Sequence, residues 1–580
     1  MSFFDDASLA FLPSGAAGKD GKTYSIKPTD GSGDFTFSRG SNLAATRVGP
    51  TGLIEKGREN LLLQSNQFDT TWSTSSVSVT SGQSGYDGSN DAWSVFPTAT
   101  TGNCSIRQNL SPTGVKTFSV YAKANGGNAI CLRTNDSTTN TWFDLSNGTI
   151  GTTSSAVIDS NILDLGNGWY RCSTAFSNTM TSVRIYISDA VNIFSCTTNN
   201  GVYLQDAQLE IGLAATEVIT TGATTGKAGL LEDEPRFDYS GGATCPSLLL
   251  EPSRSNLMTY SEIFEGSSSG YWRVFDNGII EPNYGISPEG VQNSTKIGTS
   301  GGNNDFVYNS ITISSGTAYT LSCFVKNIDA TESLIYGVNT TNNDLTWSGS
   351  TLTNVVGGDF EPLDNGWYRI WITTTSTSTS AITRIYSDRN GGTGSIEIYG
   401  FQVEAGSYPT SYIPNHSGGS VTRGADFCND AGDSSTFNDS EGVLYAEIAA
   451  LADDQSSRTI TLTDGTFDER IQLSYYTGGS NQIRVFIKSG GTFSAVITTT
   501  LTDITEFSKI AYRYKSGETK LFINGSLIGT SADTFSITGL NVLQFANGDG
   551  LSNPLQGKAK QVLYFPTALS DADCITLTTL

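Results

Sequence analysis

The side chains of this chain with most to offer a ligand are aromatic, and they fall into two groups. Trp169 and Trp367 lie in matching runs, Asn167-Gly168-Trp169-Tyr170-Arg171 and Asn365-Gly366-Trp367-Tyr368-Arg369. A tryptophan copied together with its strand neighbours reads as a core anchor. Trp93, Trp142 and Trp347 have no such copy, and each lies beside a polar run, at 87–91, 135–140 and 342–344. An indole in that setting can take the apolar face of a sugar ring while Asn and Asp side chains at its rim bind hydroxyls. Further along, Arg470, Tyr475, Tyr476, Asn547 and Asp549 fall near expected loop edges and offer the same combination. These eight residues are the candidate glycan contacts.

Groups for bond-breaking chemistry are scarce. The single histidine, His416, sits in the linker-like run 412–419 and reads as a solvated loop residue. A His-dependent triad or His-based zinc site is therefore not expected. The full Gly-x-x-x-x-Gly-Lys-Ser/Thr phosphate loop does not occur. The eight cysteines show no C-x-x-C spacing and are not copied as pairs, so they read as free thiols filling cores in a reducing cytosol. The formal charge of −23 and the lack of a basic stripe argue against a nucleic-acid partner. The acidity leaves room for Ca²⁺, although no Asp-rich loop has a hand-type spacing, so the metal content stays unassigned. No enzyme activity is expected.

The elements that would position these residues are strands. Charged residues make up only 15% of the chain and 63 residues are Gly, which suits many short strands joined by polar turns. At 580 residues several cores are required. The chain also repeats itself. Asn60-Leu61-Leu62 returns as Asn256-Leu257-Met258, Thr117-Phe118-Ser119 as Thr320-Leu321-Ser322, Arg184-Ile185-Tyr186 as Arg384-Ile385-Tyr386, and Gln208-Leu209-Glu210 as Gln402-Val403-Glu404. The order is kept at an offset of roughly 200 residues, far beyond a solenoid period, so a whole domain is duplicated.

The expected organisation is a Gly-rich N-terminal segment (1–56), a jelly-roll module (57–222), a connector (223–250), a duplicate module (251–420) and a C-terminal sandwich (421–580). The N-terminal segment is too short for a core of its own and is expected to pack on a neighbour. In the last unit, Asn524-Gly525 between two apolar runs marks a hairpin, because both residues tolerate positive φ. Ser570 is placed to cap one short helical turn. The start of the chain lacks the charge and apolar run of a signal peptide, and no apolar stretch is long enough for a membrane span.

Three runs resemble known proteins. Gly31-Ser32-Gly33-Asp34-Phe35-Thr36-Phe37-Ser38-Arg39-Gly40 with Ala45-Thr46-Arg47-Val48, Cys245-Pro246-Ser247-Leu248-Leu249-Leu250-Glu251-Pro252-Ser253-Arg254, and Tyr408-Pro409-Thr410-Ser411-Tyr412-Ile413-Pro414 resemble tailed-bacteriophage virion proteins: tail fibres, receptor-binding proteins and capsid-attached fibres. The repeated units resemble carbohydrate-binding-module jelly rolls. The C-terminal part, with Phe522-Ile523-Asn524-Gly525 and the run 556–565, resembles the concanavalin A-like lectin/glucanase domain. Glucanases of that fold carry paired carboxylates on one strand, which 421–580 lacks; Asp464, Asp468 and Glu469 flank a turn instead.

The resemblance implies an all-β chain of tandem β-sandwiches, two duplicated jelly rolls plus a concanavalin A-like sandwich. It implies a phage virion fibre made in the host cytoplasm and carried on the virion, attached to other virion proteins through 1–56, adhering to host-surface glycan, and assembled as a homotrimer. The second reading is a head or collar decoration protein with a purely structural role.

Overall fold

The computed structural model describes residues 3–580 apart from 14–17, 20, 41, 101, 265–271, 303–304, 340 and 390–391. Met1 and Ser2, at the start read above, lie outside the described residues. The regular structure of the described residues is almost entirely antiparallel strand, as the alternation of β-branched and polar residues predicts. No described helix is long and apolar enough to cross a membrane.

The first sandwich packs two six-stranded sheets. Its first sheet runs Val157–Gly166, Trp169–Phe176, Lys116–Asn125, Gly201–Ile211, Ala92–Pro97, Val77–Gln83. Its second runs Thr149–Thr153, Asn140–Asp144, Ala129–Thr134, Ser182–Ser188, Ser105–Asn109, Ser73–Ser75. The second sandwich repeats both orders strand for strand. Its first sheet runs Gly358–Pro362, Tyr368–Thr375, Ala318–Asn327, Ile396–Ala405, Thr295–Gly298, Ile279–Glu281, and its second Thr351–Val355, Asn342–Ser348, Glu332–Tyr336, Ser380–Tyr386, Phe306–Thr312, Arg273–Phe275. Even a bulge is copied: the central pair shifts register beside Asp206 (φ 47°) in one copy and beside Gly400 (φ 60°) in the other.

Two of the copied motifs turn out to be clasps. Asn60 Nδ2 donates to the Ala207 and Ile219 carbonyls while its Oδ1 accepts from Leu62 N and Leu209 N. Asn256 makes the same four bonds, to Phe401, Ile413, Met258 and Val403. Glu210 holds Thr216 as Glu404 holds Thr410, and Gln208 accepts from Ile219 N as Gln402 does from Ile413 N. Each clasp ties a crossing tail to its sheet and satisfies buried backbone groups that would otherwise be orphaned.

The third sandwich departs from the expected boundaries. Its larger sheet runs Arg236–Asp238, Ser247–Leu250, Gly557–Phe565, Glu441–Ala450, Ser508–Lys515, Thr519–Ile523, Ser526–Ser531. Leu9–Phe11 also pairs with Gly557–Phe565. The facing sheet runs Thr492–Thr500, Gln482–Ser489, Arg470–Tyr475, Arg458–Thr463, Val542–Gln544. So the C-terminal unit is not made by 421–580 alone, and 223–250 is not merely a connector. The segment 1–56 packs into this sandwich: Leu9, Phe11, Phe35 and Phe37 are among its core residues. Burying those four side chains stabilises the fold by several kcal/mol, at roughly 1.5–3 kcal/mol each. The Asn524-Gly525 hairpin forms as expected, with φ of 48° and 77°. Ser570 caps Asp571–Thr578, an eight-residue helix and longer than the single turn expected.

The sandwiches meet around two buried charge clusters. Arg236 pairs with Glu251 and Asp426, Arg423 pairs with Glu251 at 2.7 Å, and Arg39 reaches Asp426 at 3.3 Å. Lys56 pairs with Glu262 and Glu289, and His416 Nε2 lies 2.7 Å from Glu262. His416 is therefore not the solvated loop residue its sequence setting suggested: a buried carboxylate faces it. All eight cysteines are free, and Cys245 alone of them is exposed.

Candidate functional site

Alternation along a strand sends successive side chains to opposite faces of a sheet. The second sheets of the two duplicated sandwiches turn one face to the core and the other outward. Ile185 and Ile385 enter the cores; Arg184 with Tyr186, and Arg384 with Tyr386, stand on the outer faces. This copied motif supplies no clasp.

Around Tyr386 the second sandwich builds an aromatic platform. In one row across the strands, Phe275, Phe306, Tyr386, Leu334 and Asp344 are lateral neighbours; the next row is Arg273, Tyr308, Arg384, Tyr336 and Asn342. Phe275 stacks on Phe306 at 4.6 Å and is 47% exposed. The Arg384 guanidinium lies 5.0 Å from the Phe306 centroid and 5.5 Å from that of Tyr336, within cation–π range. Asp344 at the rim pairs with Arg389 at 2.7 Å.

The first sandwich carries the equivalent face with different residues. Tyr186 and Trp142 lie on it, covered by Phe194, whose ring is 4.9 and 4.8 Å from theirs. Phe194 itself is 38% exposed. Arg133 lies over the Tyr186 and Phe194 rings at 5.8 and 5.7 Å. Trp142 is thus on the right face but supports Phe194 rather than presenting its own ring.

A third outward face belongs to the smaller sheet of the third sandwich. Arg484 lies over Tyr476, Phe486 and Phe493, and Arg470 over Phe467 and Phe486. Phe467 and Phe493 are exposed. Burial pushes the Arg470 guanidinium pKa down, opposed by Asp468 and Asp549. Asp549 accepts from Leu551 N and Ser552 N, and these bonds outweigh burial to hold its carboxyl below the usual range. Asn547 Oδ1 accepts from Gly548 N in the same loop. Of the candidates here, Arg470 and Tyr476 share the face, with Asp549 beside Arg470.

Three candidates are corrected. Trp93 packs edge-on against Phe68 inside the first core and donates from Nε1 to the Asn66 carbonyl at 2.9 Å. Trp347 lies in the second core with Nε1 on Ser333 Oγ at 2.9 Å. Tyr475 points into the third core, because its neighbour Tyr476 takes the outer face, and burial pushes its phenol pKa up. The exposed Phe194 and Phe275 and the half-buried Tyr308, Tyr336 and Arg384 were missed, with Tyr186 and Tyr386 buried beneath them. The i, i+2 spacing of Arg and Tyr in both copies of the motif was the available signal. Among the described residues, no group of three or more His, Cys, Asp or Glu side chains is arranged to hold a metal.

Residues 431–574 match a family model, Laminin G 3, described as the concanavalin A-like lectin/glucanases superfamily. No curated protein matches the chain. Among solved structures, the CBM40 domain of Ruminococcus gnavus IT-sialidase with α2,3-sialyllactose is 19% identical, covering 25% of this chain and 84% of its own, at a TM-score of 0.22. The CBM22 tandem of Paenibacillus barcinonensis Xyn10C is 13% identical over 64% of this chain and all of its own (100%), at 0.21. Domains LG4-5 of the mouse laminin α1 chain are 9% identical, covering 45% and 88%, at 0.18.

Proposed function

We propose that this chain is a structural protein of a tailed-phage appendage that adheres to host-surface glycan through the outward sheet faces of its sandwiches. The adhesive half of the reading is carried by one observation: the duplicated Arg-Ile-Tyr motif places Arg384 and Tyr386, like Arg184 and Tyr186, on an outward face amid other aromatic rings. Tyr386 and Tyr186 are themselves buried, and the exposed rings on the same faces, Phe275 and Phe194, offer apolar faces to pyranoses, while the arginines and rim carboxylates offer hydrogen bonds. The lectin-superfamily match of 431–574 supports the same reading for the third sandwich. Weak sites on linked modules gain strength because each engaged module raises the effective concentration of the next. Assembly as a homotrimer would multiply this further.

The virion half rests on the sequence resemblance of the runs 31–48, 245–254 and 408–414. Of their charged residues, Arg39 and Glu251 meet with Ser411 in the junction cluster, while Arg47 pairs with Glu55 and Arg254 with Glu404. They would belong to the framework of the particle protein, not to its receptor contacts. The reading takes the protein as a binder without catalysis.

The test is titration of the full chain with purified host-surface polysaccharide, alongside Phe275→Ala and Arg384→Gln. Both substitutions are expected to lower affinity about ten-fold, roughly 1.4 kcal/mol, with a cooperative melt retained and a stability loss of no more than about 1 kcal/mol for the Phe275 ring. Unchanged affinity in both would remove the platform from the binding site.

A further inference from the structure

The two duplicated platforms have diverged in charge. In the first sandwich Arg107, Arg184 and Arg133 are directly lateral neighbours on three adjoining strands, flanked by Ser73 and Asn140. The corresponding row of the second sandwich alternates: Arg273, Tyr308, Arg384, Tyr336, Asn342. Two of its tyrosines have arginine in their places in the first sandwich.

Like charges set opposite one another across strands destabilise a sheet. Here three stand in a row, in a chain of net charge −23 where acids are plentiful. Among the described residues, none of the three arginines forms an ion pair. Arg107 is exposed, and Arg133 and Arg184 are half-buried. Asp136, on the adjoining turn, gives its oxygens to Thr138 and Asn178 and lies within reach of the Arg133 charge without forming an ion pair with it. Arg184 Nη1 reaches the Tyr186 hydroxyl at 3.3 Å, and Arg133 leans over Tyr186 and Phe194. The rings therefore help to hold the guanidinium groups in place without neutralising them. Neighbouring strands lie about 4.8 Å apart, so the row extends over about 10 Å. Guanidinium forks suit planar carboxylates, which they can bind in bidentate fashion.

We infer that the outer face of the first sandwich is an anionic-saccharide site, taking carboxylate-bearing sugars across Arg107, Arg184 and Arg133, while the second sandwich's platform takes neutral rings. This division rests on the glycan-binding reading above and assigns its substrate class. The exposed Phe194 ring would stack on a sugar face beside the carboxylates.

The experiment titrates the full chain with an oligogalacturonate, with its methyl ester, and with a single-stranded oligonucleotide of equal charge. The chains compared are the wild type, Arg107→Gln/Arg133→Gln and Phe275→Ala. The acid form is expected to bind at least ten-fold tighter than the ester. That preference should shrink with added salt, vanish in the double-arginine variant and survive in Phe275→Ala. The double variant should also melt higher than the wild type, since it relieves the repulsion, and this shows that it folds. Equal binding of acid and ester by the wild type overturns the anionic site but leaves the glycan reading standing if Phe275→Ala weakens both. A double variant with the full acid preference overturns it as well, as does tighter binding of the oligonucleotide. If no saccharide, including the host polysaccharide, binds any of the chains, the glycan reading falls together with this one.

Discussion

His416 Nε2 lies 2.7 Å from Glu262 Oε2, so the one histidine of the chain contacts a carboxylate buried where the N-terminal segment meets the second sandwich. Lys56 and the Tyr412 hydroxyl share that carboxylate. Burial opposes ionisation of Glu262, but His416 and Lys56 outweigh it and hold its pKa well below the usual carboxylate range. A carboxyl held low in the folded state adds stability that is present above its unfolded value, about 4.3. That stability is lost as pH falls through the folded value. The melting temperature should therefore drop as pH is lowered from about 4.3, and Glu262→Gln should start lower at pH 7 and fall less. Melting curves from pH 7 to pH 3 check this; parallel curves for the two proteins would disprove it.

Asp206 behaves in the opposite sense. Burial pushes its carboxyl up to about 6; the Tyr86 hydroxyl bond opposes the shift, and Asp91 and Asp87 add to it. The folded state then holds this proton more tightly than the unfolded one, so stability rises as pH falls through 6 towards about 4. Asp206→Asn keeps an acceptor for Tyr86 and tolerates the φ of 47°. It should stabilise the chain by about 2 kcal/mol at pH 8 and by almost nothing near pH 4. Urea unfolding at the two pH values reads the difference directly.

The third sandwich should not fold as 421–580 alone. Gly557–Phe565 is flanked on one side by Ser247–Leu250 and Leu9–Phe11, and both are missing from that fragment. Removing them uncovers a long apolar strand edge, which invites aggregation. Phe35, Phe37, Leu248 and Leu250 would also leave the core. Expression of 421–580 should yield aggregated protein, and a monomeric fragment with a cooperative melt would refute the discontinuous core.

Trp93 and Phe194 separate packing from presentation. Trp93→Ala empties a filled place in the first core and should cost about 3–5 kcal/mol. Phe194→Ala removes an exposed ring from Trp142 and Tyr186, at about 1 kcal/mol, but should weaken saccharide binding by the first sandwich. Paired denaturation and binding measurements on the two variants should show the contrast.

The sequence by itself determined that the fold is built of strands, that one sandwich is present twice, and that Asn524-Gly525 turns a hairpin. Those properties come from local alternation, turn chemistry and self-similarity, which need no knowledge of distant partners. It also held Arg184 with Tyr186 and Arg384 with Tyr386 at the i, i+2 spacing that puts both members on one face. Only the tertiary structure decided which face that is. Tyr475 and Tyr476 look alike in sequence, yet one enters the core and the other meets Arg484, because the packing of the opposite sheet selects a single register. Leu9, Phe11 and Leu248 have the same explanation. Their partner, Gly557–Phe565, lies over 300 residues away, and a pairing at that distance is set by the fit of the whole core rather than by any local pattern.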